Sequence, residues 1–138
     1  MAPRKSNAVP AFALLLVALA IALDGGLPSV GGGLGGTARA LVTTQITAGD
    51  RVAQATSAAA IYGEAAARLA DRTFGSAIEA QQHVLDRVQR ELVPRSAGWS
   101  AVNAEVAAAV RAKLGNTPEP AALQAAYTEI AAGLRGVK

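Results

Sequence analysis

Cysteine is absent from this chain. Its absence excludes a disulfide framework, a thiolate metal site and a lipid-modified cysteine behind an apolar leader. It leaves the compartment open. Histidine occurs once, at His83. Without a thiolate, a zinc site would need three carboxylates or waters, an unusual set. Aromatic residues are scarce, being Phe12, Tyr62, Phe74, Trp99 and Tyr127 alone. Nucleic-acid surfaces combine clustered cations with stacking aromatics. Here 13 Lys/Arg stand against 10 Asp/Glu, a formal +3, and the signs interleave as Asp50-Arg51, Asp71-Arg72 and Asp86-Arg87. No nucleic-acid partner is expected. No strand-like alternation, fixed-period repeat, G-x-S-x-G, phosphate loop, dinucleotide fingerprint or calcium loop occurs. No cofactor and no metal are expected.

What the chain has in quantity is alanine, within a hydrophobic share of 51% over 138 residues. That length allows one domain at most. Alanine is the best helix former and buries little area. The composition therefore predicts an all-α domain with a thin core.

Residues 8–23 carry no charge, with Arg4 and Lys5 before them and Asp24 after. As a helix this run would rise about 24 Å, against about 30 Å of bilayer hydrocarbon. It has no polar stripe, which a core helix normally shows. Residues 1–24 therefore read as a signal peptide or an N-terminal membrane anchor, with Phe12, Leu14, Leu15, Leu16, Leu19, Ile21 and Leu23 as the apolar payload. Small-x-small cleavage patterns end at Ala20, Ala22, Gly31 and Ala40, so cutting and keeping stay open. The upstream basic pair puts the N-terminus in the cytoplasm and everything downstream across the membrane. The expected location is periplasmic or secreted, or anchored in the inner membrane. Residues 25–36, GGLPSVGGGLGG, read as a flexible Gly-rich linker.

Residues 37–138 read as a small helical bundle or helical hairpin pairs of about four helices. The first runs from about 40 to 72, with Gly49 and Asp50 positioned to break or bend it. Val52, Ala55, Ala59, Tyr62, Ala66 and Leu69 recur at spacings of 3, 4, 3, 4 and 3, a helix–helix seam. Glu64 and Arg68 are an i,i+4 pair. TFGS at 73–76 is a turn, and Ser76 with Glu79 matches a capping box. The second helix spans 77–93 with Ile78, Leu85, Val88 and Leu92 on one face, and Pro94 ends it. Ser100 is the expected cap of a third helix over 101–114, whose stripe is Val102, Val106, Ala109, Val110 and Leu114. Gly115-Asn116 closes it. Thr117 with Pro118 opens the fourth, striped by Leu123, Tyr127, Ile130 and Leu134 and closed by Gly136.

Catalytic constellations are absent from this pattern. His83 falls on the polar face between Glu79 and Arg87 and reads as a solvated surface residue. Most acids have a basic neighbour, as Asp86 has Arg90, which lowers a carboxyl pKa where an acid catalyst needs it raised. Trp99 reads two ways: it staples onto the next helical turn near Ala104, or it is an exposed anchor for a partner. The function expected is non-enzymatic: an exported or membrane-anchored protein acting in structure or protein–protein interaction. Its alanine seam, through Val52, Tyr62 and Leu69, would pack on a helical partner or a second copy. The alternatives are a membrane-tethered accessory of envelope remodelling or phage-type lysis, a small cell-wall enzyme, and a carrier of apolar ligands between loosely packed helices. No sequence feature selects the last.

Overall fold

The computed structural model describes residues 33–138. The export or anchor segment, 1–24, and the first part of the glycine linker, 25–32, lie outside the described residues. Five α-helices make up the described fold: α1 (Gly33–Gln45), α2 (Arg51–Ala70), α3 (Ala77–Glu91), α4 (Gly98–Leu114) and α5 (Pro120–Arg135). No strand occurs among the described residues. None of these helices is long and apolar enough to cross a membrane.

Gly49 and Asp50 do break the first segment, and the chain between Gln45 and Arg51 turns back on itself. The result is one helix more than the periodicity suggested. α1 begins inside the expected linker, so residues 33–36 are helix and not slack. Leu34, Ala38, Val42 and Ile46 recur every fourth residue and are buried. Gly35 is needed there, because a Cβ on it would lie 2.6 Å from the Glu129 carbonyl. Gly133 of α5 answers it, since its Cβ would lie 2.0 Å from the Gly35 oxygen. The two glycines let the helix backbones touch.

α2 and α5 form the centre and share the most extensive contact. They run antiparallel, since Arg51 at the start of α2 donates to the Lys138 carbonyl beyond the end of α5 at 2.8 Å. α1 packs on α5 and α4, and α3 packs on α2. α3 and α4 are neighbours in sequence but meet sparingly. The core is one cluster, rich in alanine along α2.

Local signals set most boundaries. The Ser76 half of the capping box forms, with Glu79 N–H donating to Ser76 Oγ at 3.2 Å, while the Glu79 carboxylate accepts from Gly75 N–H at 2.5 Å, one residue before the cap, in place of Ser76 N–H. Gly115 caps α4 with φ +86°. α5 starts at Pro120, not Pro118. Glu119 precedes a proline, which steers it to extended backbone, and its φ −67° and ψ 145° make it the cap residue in place of Thr117. α4 starts at Gly98, before Ser100. There the tight contact of Gly98 on the Gln45 carbonyl, 2.5 Å from a Cβ placed at Gly98, fixes the helix start.

Candidate functional site

The seam expected on α2 is a helix–helix seam, but its partner is α5 of the same chain. Tyr62 and Leu69 are buried in the core, and the Tyr62 and Tyr127 rings meet edge to face at 5.3 Å. Those two residues have no surface left for a second molecule. Val52 is the exception at 50% exposed. The buried face of α2 also takes in Gln54, Ala58, Ile61 and Ala65. Its centre therefore lies about 100° from Val52 at 100° per residue, at the edge of the packed arc.

Trp99 is 1% exposed, which removes it as a surface anchor. Its indole N–H donates to Gln54 Oε1 at 2.8 Å. Gln54 Nε2 donates in turn to Asp50 Oδ1 at 2.6 Å, and Arg95 reaches the other Asp50 oxygen at 3.0 Å. The hydrogen bond from Arg95 holds the Asp50 carboxyl below its ordinary value, with Gln54 adding to the effect. This chain of bonds ties α4 and the preceding loop to the start of α2. His83 is half-buried, not solvated. It sits 5.2 Å from the Phe74 ring, whose centroid lies 4.7 Å from the Arg68 guanidinium carbon.

The expected surface pairs are present: Arg68 with Glu64 at 3.7 Å and Arg90 with Asp86 at 2.5 Å. Arg87 also bridges Glu64 and Glu91, linking α2 to α3. That bond keeps the Glu91 carboxyl below its ordinary range. Among the described residues no group of three His, Asp or Glu is arranged to hold a metal.

The feature that stands apart is a groove of about 490 Å³ where α3 and α4 splay. Ile78, Leu85 and three glutamines, Gln81, Gln82 and Gln89, form the α3 wall. Ser100, Ala104, Ala107 and Arg111 form the α4 wall, and Asn116 closes one end. Val84, Val106, Val110, Tyr62, Asn103 and Tyr127 make the floor. Arg111 is the one charged residue on this lining, and no carboxylate or imidazole is on it. Ile78 and Leu85 are 55% and 47% exposed, so the large apolar side chains expected in the α3 core stand on the groove wall instead. The face of α3 that is buried against the bundle is Ala77, Ala80, Val84 and Val88. Ile78 and Leu85 point about 95–115° away from its centre, by the same 100° geometry that strands Val52.

Two floor residues carry polar groups. Asn103 is 8% exposed and Tyr127 is 5% exposed. Burial pushes the Tyr62 phenol far above its ordinary value, so its hydroxyl stays protonated and donates to Asn103 Oδ1 at 2.9 Å. That bond occupies Asn103 Oδ1 and leaves the Asn103 amide nitrogen free to donate. Neither this nitrogen nor the Tyr127 hydroxyl has a partner among the described residues, and neither is sealed from solvent. Burial raises the Tyr127 pKa as well, so it too remains a donor. Nothing in the periodicity pointed to this floor. The available signal was Asn103 itself, a weak helix former within a valine-striped helix.

No family model matches this chain, nor does a curated protein or a solved structure.

Proposed function

We propose that this chain is a non-enzymatic binding protein working outside the cytoplasm, exported or tethered by residues 8–23, and that it holds an apolar ligand in the α3–α4 groove. The observation that carries the reading is a half-open groove that joins apolar walls to polar side chains, with Asn103 and Tyr127 in its floor donating to no protein group among the described residues. Its volume falls in the range of about 300–1,000 Å³ typical of ligand pockets. An apolar lining with a few convergent polar groups is the usual make-up of such a site. The lining supplies no acid–base pair, which favours binding over chemistry. The location rests on the charge-free run behind Arg4 and Lys5.

A dye test addresses the groove directly. The full chain is titrated with anilinonaphthalene sulfonate beside the Ala107→Trp variant, whose indole fills the groove. A saturable component present in the wild type and missing in the variant is expected, with the unfolding midpoint of the variant unchanged. Equal binding by both proteins would sink the reading. Comparing the two proteins cancels dye taken up by residues 8–23.

A second reading is favoured by the exposed pair Ile78 and Leu85. These two residues form an i,i+7 ridge, and Ala104 and Ala107 form a shelf that a ridge could enter. In this reading the interaction protein, including a tethered accessory of the envelope, self-associates through this face and not through the α2 seam. Sedimentation of the full chain with and without Leu85→Lys separates the two readings. Association abolished by Leu85→Lys supports the second; a monomer in both cases removes it.

A further inference from the structure

We propose that the groove ligand is a straight-chain carboxylate, an acyl chain ending in a carboxyl group; this rests on the reading of the groove as a ligand site. The floor sets two groups able to donate, on Asn103 and Tyr127, in a lining whose one charge is the Arg111 cation. Asn103 Oδ1 is already taken by Tyr62, which leaves the amide N–H groups, and Tyr127 contributes a protonated hydroxyl. A ligand that satisfies both must bring acceptors. The lining adds a cation, Arg111, and no anion. Arg111 is in no salt bridge among the described residues, so its charge is open to a ligand. Side chains on a helix lean towards its N-terminus, which carries Arg111 back along α4 towards Asn103. A carboxylate between these groups gains charge-assisted bonds.

The rest of the lining suits an alkyl chain. From Ser100 to Arg111 the α4 wall rises about 17 Å, and it presents small side chains, Ala104 and Ala107, along that length. Ile78 and Leu85 on the opposite wall give the chain the contacts they lack in the bundle. A cationic head meets the Arg111 charge and no anion anywhere on the lining, and is disfavoured. A neutral alcohol satisfies the floor but forgoes Arg111.

The test uses the full chain and a dodecanoate carrying a diazirine in its alkyl chain. After illumination, labelled peptides are mapped by mass spectrometry. Label is expected on the α3 and α4 walls, around Leu85 and Ala104. Unlabelled dodecanoate is expected to compete at least ten-fold better than dodecanol. Arg111→Gln should bring the two competitors level, and Tyr127→Phe should weaken dodecanoate several-fold without changing the unfolding midpoint. Equal competition in the wild type, or no effect of Arg111→Gln, overturns the carboxylate. If the Ala107→Trp-sensitive dye component persists in that case, the groove reading stands and only the ligand class falls. Label confined to residues 8–23, together with no such dye component, overturns both.

Discussion

At the scale of single residues, stability rests on a few polar side chains that replace surface contacts with buried ones. Trp99 and Gln54 are the clearest case. Trp99→Phe leaves Gln54 Oε1 buried without its donor and opens a small cavity where the larger indole packed, at an expected cost of about 1–3 kcal/mol or more. Urea denaturation of the variant checks it. Arg72 bears on stability through its backbone instead. It sits at φ +63°, and the Thr73 N–H to Arg68 carbonyl bond of 2.9 Å closes the end of α2 around it. This is the position where helices prefer glycine. Arg72→Gly should be stabilising by about 0.5–1 kcal/mol, the left-handed strain relieved less the added chain entropy. Acid stability has a residue-level origin too. Asp50, Asp71 and Glu91 are each held below their ordinary values, chiefly by Arg95, Thr73 and Arg87 respectively. A depressed carboxyl stabilises the fold above its unfolded pKa and loses that effect as pH falls through the folded one. The loss therefore begins below about pH 4. Asp50→Asn should be less stable than the wild type at pH 6 and equal to it at pH 2, as read from thermal midpoints. None of these residue roles was legible beforehand. Trp99 was noticed, but its partner is 45 positions away in sequence, and pairings at that range leave no periodic trace.

At the scale of helices, much was legible. The Ser76 half of the capping box, the break at Gly49 and Asp50, the stop at Gly115 and the α5 stripe all came from local rules, and all are present. The failures share one cause. A stripe read as a narrow seam on α2 and α3 was extended to Val52, Ile78 and Leu85, while the helices bury wider faces whose centres lie elsewhere. Small alanines, Ala58 and Ala65 on α2 and Ala77 and Ala80 on α3, hold the middle of those faces. A composition-based reading discounts alanine, so it misplaces the face. The glycine stretch failed differently. GGGLGG looks like slack, yet Gly35 is the contact point of α1 with α5. Gly133→Ala forces a methyl group into the Gly35 backbone and should cost about 1–3 kcal/mol or more, as overpacking does. Hydrogen exchange should show the loss concentrated in α1, with the α2–α3 pair still protected.

At the scale of the whole molecule, the arrangement explains why a groove exists at all. α2 and α5 take the central contact, α1 closes one side, and α3 is held to α2 by Arg87 and its two glutamates. α4 is held to α1 at Gly98 and to the start of α2 by the Trp99–Gln54 bond, while its contact with α3 is sparse. This splay depends on four pairings at once and was beyond sequence reading. Bundle class and helical content were within it. The proposed export or anchor role of residues 1–24 concerns delivery and not the groove, so the two proposals can be tested apart. The most direct test of the groove as a binding site is an amide NMR titration of the full chain with dodecanoate. The expected result is a saturable set of shifts confined to residues around Leu85, Asn103, Ala107 and Arg111, and absent from Ala107→Trp. Shifts confined to residues 8–23, or spread without saturation over all five helices, would contradict it.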